Sequence, residues 1–228
     1  MPTAPAFPPA LFAFFRELRT NNARPWFQAN KTRYERDVLA PCLAFVQAMT
    51  APLARVSPWL AADARVGGTL FRIYRDVRFS ADKSPYKLHA GLWFYHRTAG
   101  RSSDAPGFYV HLEPDGVLLA LGSYQPRPPA LAAIRQAVAD DPDAWFAARD
   151  RAARVPWSLA GEVLKRTPKG FSPDHPAAAD IKRKDFYVVA PLSEDEACAP
   201  DFLEQCLALG EKAKPLGGFL ASALNLPW

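Results

Sequence analysis

Between Thr69 and Tyr124 four strand-like runs follow one another with short links. Parallel neighbours need a crossover of a dozen residues or more, so strands joined this closely run antiparallel as a meander. In the first run Phe71, Ile73, Val77 and Phe79 alternate with Arg72, Tyr74, Asp76 and Arg78, the period of two of a half-buried strand. The second, His89 to His96, is rich in aromatics. Gly107 to Glu113 and Gly116 to Tyr124 supply the third and fourth, with Pro114-Asp115 between them as a hairpin turn. Phe186 to Ala190 reads as a fifth strand added to the same sheet.

Helical periodicity brackets these strands. Leu11, Phe14, Phe15 and Leu18 recur at helical spacing over residues 9–20. Asn21-Asn22 stops that helix and is placed to cap the next, which carries Trp26, Phe27, Tyr34, Val38 and Leu39. Pro41 interrupts, and a further helix runs to about Val56. Pro128 opens a helix through Leu131, Ile134 and Val138, and Asp143 to Arg154 forms another. Residues 155–182 read as irregular, and Asp201 to Leu209 and Gly218 to Leu224 close the chain in two helices. The pattern predicts an α+β fold, an antiparallel sheet of about five strands (a meander plus one late strand) flanked by N-terminal and C-terminal helices. The 228 residues contain no Gly/Ser linker or low-complexity tract, so 1–228 is expected to be a single domain.

Cys42, Cys198 and Cys206 are odd in number and lack CxxC spacing, which argues against a disulfide framework and suits a reducing compartment. The start, Met-Pro-Thr-Ala-Pro-Ala-Phe, has no basic stretch of the kind that opens a signal peptide, and no apolar run is long enough to span a bilayer. A soluble cytoplasmic protein without a membrane partner is expected.

The net charge of +5 is concentrated. Residues 69–101 hold Arg72, Arg75, Arg78, Lys83, Lys87, Arg97 and Arg101 against only Asp76 and Asp82, which accounts for the whole excess. Localised positive charge favours anionic ligands. On the strand register Arg72 and Arg78 share a face, Lys83 and Lys87 follow in a turn-rich loop, and Tyr74 and Tyr86 stand beside them. Arginine forks hold phosphate or carboxylate bidentately, and lysine adds a point charge. Arg72, Arg78, Lys83, Tyr86 and Lys87 are therefore the expected ligand-binding residues. Arg75 falls on the apolar face, where an unpaired charge costs several kcal/mol, so it is expected in a structural ion pair. The alternative is that the whole motif is an ion-pair network, with Arg75 and Arg78 locked by Asp76, Asp82 or Glu113.

The run from Arg72 to Lys87, Arg-Ile-Tyr-Arg-Asp-Val-Arg-Phe-Ser-Ala-Asp-Lys-Ser-Pro-Tyr-Lys, resembles the signature of a conserved family, domain of unknown function 2461. Asn21-Asn22 with Trp26-Phe27, Gly107 to Pro114, and Pro168 to Pro176 fit the same family, so the resemblance covers nearly the whole chain. The chain departs from it at Leu119-Ala-Leu-Gly122, where the family is richer in glycine. The resemblance implies kinship of fold and motif and carries no activity with it.

Enzymatic motifs are missing: there is no P-loop, GxSxG, HExxH or GxGxxG. If the protein is a catalyst, Asp76, Asp82, Tyr86 or His175 would do general acid–base work on an anion held by the arginines. His89 and His111 fall on neighbouring strands, but two histidines lack an evident third ligand, so neither metal nor other cofactor is expected. Single-stranded nucleic acid competes with a small anion as partner, since basic and aromatic residues on one sheet suit both, but the basic run is short. A protein-interaction module is the third reading.

Overall fold

The computed structural model describes residues 6–228, which include a sheet of six strands. These are β1 (Leu60–Ala61), β2 (Ala90–His96), β3 (Gly107–Leu112), β4 (Val117–Ser123), β5 (Ser158–Ala160) and β6 (Phe186–Leu192). All pairings are antiparallel, in the order β1-β2-β3-β4-β6-β5. The fold is α+β, with one strand more than the sequence suggests. β1 and β5 are two and three residues long, too short to display a period.

The N-terminal helices are α1 (Pro9–Thr20), α2 (Arg24–Ala29), α3 (Lys31–Tyr34) and α4 (Ala40–Met49). Pro41 does not break the path: a π-helical turn at Glu35–Leu39 joins α3 to α4 and leaves Pro41 in the first turn of α4. After the sheet come α5 (Pro128–Asp140), α6 (Pro142–Ala152), α7 (Ala178–Ile181), α8 (Glu194–Cys198) and α9 (Phe202–Ala223). The two closing helices expected from the sequence are one continuous helix of 22 residues that passes through Pro215. Proline there removes the bond to the Glu211 carbonyl, and Glu211 lies on the exposed side, where water can serve it.

The helices cover one face of the sheet. Phe94, Phe108, Val110, Leu119, Val188 and Ala190 are fully buried on that side, α4 packs on β2, and α9 packs on β4 and β6. A side chain such as Phe108 or Leu119 contributes about 1.5–3 kcal/mol by that burial. On the opposite face Tyr109, His111, Leu118, Ala120, Tyr187 and Val189 are only half-buried, the alternation of an antiparallel sheet covered on one side. That uncovered face positions the site.

The first run of the meander is not a strand. Thr69 to Phe71 touches the edge of β2, with Phe71 N–H donating to Gly91 O (2.9 Å) and Trp93 N–H to Thr69 O (2.8 Å). The chain then leaves the sheet and doubles back on itself. Among the described residues no helix is long and apolar enough to cross a membrane. The first five residues, on which the expectation of no export signal partly rests, lie outside the described ones.

Candidate functional site

The segment from Ile73 to Lys87 is a hairpin projecting from the sheet edge. Its base is closed by Arg75 N–H to Pro85 O (2.9 Å) and Lys87 N–H to Ile73 O (2.7 Å), on either side of the Tyr74–Tyr86 bridge. Side chains shape its tip. Asp82 accepts from Ser84 N–H (2.9 Å) and Ser84 Oγ (2.6 Å), and Asp76 holds Arg78 through Nε (2.9 Å) and Nη2 (2.7 Å). The carboxylates capture the local donors a ladder would need, so the apolar–polar alternation here does not become a strand. Phe79, which a buried strand face would claim, is 95 % exposed.

Helix α2 anchors the hairpin. Asn22 stands just before it and clamps the Tyr86 backbone from both sides, donating from Nδ2 to Tyr86 O (2.9 Å) and accepting Tyr86 N–H at Oδ1 (3.1 Å). The asparagine expected to cap α2 does not cap it, for its N-cap is Ala23. The Tyr86 ring stacks on Phe27 at 4.1 Å and is 1 % exposed.

Between hairpin and sheet lies an open cleft of about 510 Å³ lined by Phe71, Arg72, Tyr74, Arg78, Lys87 and Arg101 with their neighbours. Its charges sort into two sets. Arg75 pairs with Asp82 and also donates to Ser84 O (3.2 Å), while Arg78 pairs with Asp76. Arg72, Lys87 and Arg101 have no carboxylate partner among the described residues. Lys87 donates to Arg72 O (2.9 Å), and Arg101 donates to Gly67 O; both cations also lie over the Phe71 ring, at 5.3 and 5.7 Å. Burial, together with the neighbouring Arg72 charge, lowers the Lys87 pKa.

Phe71 and Arg101 also border a second pocket of about 540 Å³, on the uncovered sheet face. Trp93, Tyr109, Leu118, Ala120, Tyr124, Tyr187 and Val189 make it mostly apolar and aromatic. Gly107 lets the Trp93 ring lie flat against the sheet, since a Cβ there would stand 2.3 Å from Trp93 Cη2. His89 and His111 close one end, their rings 4.4 Å apart. His111 Nε2 is 3.0 Å from Glu113 Oε2 and its Nδ1 3.1 Å from the Tyr109 hydroxyl. Burial and the neighbouring His111 depress the His89 pKa to about 4. Tyr109 is raised by burial and keeps its proton.

The residues expected as ligand groups are thus divided. Arg72, Arg78 and Lys87 line the cleft, although Asp76 already neutralises Arg78. Lys83 is exposed on the hairpin and donates to Val77 O (2.9 Å), and Tyr86 is core. Of the acid–base candidates, Asp76 lines the cleft, and bonding to the Arg78 side chain holds its pKa down at about 2. Asp82, held at about 2 first by Ser84 and then by Arg75, forms the hairpin latch. His175 commits Nε2 to Ala139 O (3.1 Å) and Nδ1 to Ala177 N–H (3.0 Å), a structural role away from both pockets. Arg101 and Glu113 were missed as site residues. The signal for Glu113 was present, because His111 and Glu113 stand two apart on one strand and so share a face.

Neither the curated proteins nor the solved structures contain a match to this chain. The family model described as conserved hypothetical protein, DUF2461, matches residues 10–219, which takes in every element from α1 to most of α9. The chain belongs to the conserved hypothetical family DUF2461.

Proposed function

We propose that the protein binds a small anion, a phosphate or carboxylate, between Arg72, Lys87 and Arg101, with the apolar or aromatic body of the ligand along the adjoining sheet face. One observation carries the reading: three cations without carboxylate partners among the described residues border one open cleft. The lowered Lys87 pKa agrees with it, since a bound anion would relieve the crowding with Arg72. Small-ligand pockets are mostly apolar with a few polar groups that fix orientation, and the neighbouring pocket has that make-up. The three free cysteines favour a reducing, cytoplasmic compartment.

The test is calorimetry with inorganic phosphate, benzoate and phenyl phosphate. Phenyl phosphate is expected to bind more tightly than inorganic phosphate, and Arg72→Ala or Arg101→Ala to weaken it about tenfold or more, as for the loss of a charge-assisted hydrogen bond. Absence of binding by all three probes, or equal binding by the variants, sinks the reading.

A second reading, single-stranded nucleic acid, is favoured by Tyr74 and Phe79, 58 % and 95 % exposed beside the cleft. It expects a labelled oligothymidylate to bind at low salt and to be released steeply as salt rises. The small-anion reading expects no such binding.

A further inference from the structure

We propose that His89, His111 and Glu113 are three ligands of a divalent first-row transition metal whose open coordination position faces the sheet-face pocket. The three side chains can each offer one ligand atom, and these atoms lie within 4.8 Å of one another. Tetrahedral coordination at ordinary metal–nitrogen and metal–oxygen lengths puts ligand atoms about 3.4 Å apart, so modest rotation of side chains closes the set.

The placement follows from the sheet. His111 and Glu113 share one face of β3 and its extension, and β2 pairs Gly91 with His111 and Ala90 with Leu112. That register carries His89 opposite Glu113, on the same face. His111 lies within β3, and His89 and Glu113 directly adjoin the paired ends of β2 and β3, so the sheet fixes the backbone on which the trio stands.

His111 has the orientation a ligand needs. With Nε2 turned toward Glu113, the Nδ1–H can donate to the Tyr109 hydroxyl, an outer contact of the kind that fixes tautomer and ring plane in metal-binding histidines. The half-buried Tyr109 hydroxyl oxygen can accept that bond. Neither ring nitrogen of His89 has a hydrogen-bond partner among the described residues, although the ring is half-buried.

Two imidazoles and one carboxylate suit zinc or ferrous iron better than calcium or magnesium, which prefer oxygen. Three protein ligands with one position open is the arrangement of reactive rather than structural sites. A dication held by one carboxylate keeps a net positive charge, and Arg101 borders the same pocket. An anion or hydroxide is the ligand that would balance the open position.

The metal alone is the probe, so the result stands apart from any anion titration. The full chain is stripped with a chelator and titrated with Co2+, followed by its visible ligand-field bands, and with Zn2+ by calorimetry. One equivalent is expected to bind, with a rise in Tm. His89→Gln and Glu113→Gln should each weaken Zn2+ by about a hundredfold, at least the loss that an outer-shell partner brings. His175→Gln, on the far histidine, should bind as the wild type does. Glu113 is 35 % exposed at its side chain, so its variant keeps the fold even if that of His89 does not. No saturable binding by the wild type, or unchanged binding by Glu113→Gln, overturns the proposal.

Discussion

Asn22 does with one side chain what a neighbouring strand does with its backbone: it satisfies both the N–H and the carbonyl of Tyr86. Asn22→Ala leaves the two groups without partners next to a buried ring, and a loss of about 1–3 kcal/mol is expected in urea unfolding. An unchanged midpoint would mean that water replaces the clamp. Gly122 is the second single residue on which the site depends. Its φ is +138°, and a Cβ there would stand 2.2 Å from Phe186 O on the paired strand β6. Gly122→Ala is expected to lower Tm by several degrees and to distort the pocket floor, while an equal Tm would show that the sheet yields locally. Residues of this kind were poorly legible. Asn22 reads equally well as a helix cap, because the capping rule is local and Tyr86 lies 64 positions away. Glu113 escaped because the histidines were counted as a pair, not as positions on a shared strand face.

The hairpin from Ile73 to Lys87 is an element held mainly by charge and by side-chain bonds to its own backbone. Asp76 and Asp82 each sit at about 2, below their ordinary 3.8, because the folded hairpin bonds their ionised forms. A depressed carboxylate stabilises the fold above its unfolded pKa, and that contribution is lost as pH falls from 3.8 through 2. Both groups are exposed and screened, so the effect is local and not a stability of the whole chain. The amide signals of Ser84 and Arg78 are expected to titrate together with a midpoint near 2 in a heteronuclear NMR series. Midpoints near 3.8 would show that the latch does not form. The same element explains why a strand was expected here. Phe71, Ile73, Val77 and Phe79 do alternate, but only Ile73 is buried, and Pro85 cannot donate to a ladder. By contrast β2, β3 and β4 were legible almost residue for residue, since aromatics mark β2, core-facing and open-facing side chains alternate along β3 and the first half of β4, and Pro114-Asp115 turns the chain. Asp115 takes the left-handed φ of 65° that such a turn demands.

At the scale of the molecule, one hydrophobic cluster extends from Phe7 to Leu220 and joins the N-terminal helices, the inner sheet face and α9. Cys42 and Cys206 lie inside it, and burial pushes the Cys42 thiol up to about 12, while Cys198 is half-buried. A thiol reagent is expected to label only Cys198 in native buffer and all three in denaturant, which makes the other two reporters of global opening. Simultaneous labelling of all three in native buffer would contradict this packing. The fold class was legible because it depends on many residues at once. The pockets were not, because each gathers residues from segments far apart in the chain, such as Arg72 with Arg101 or Trp93 with Tyr187. The sheet has a further consequence at its margins. Its outermost strands, β1 and β5, are only two and three residues long. A sheet that ends in such stubs presents few unpaired amides in a row, so another unfolded or strand-bearing chain finds no template to extend. The long, apolar inner strands are thereby shielded from fibril-like stacking by the two shortest elements of the protein.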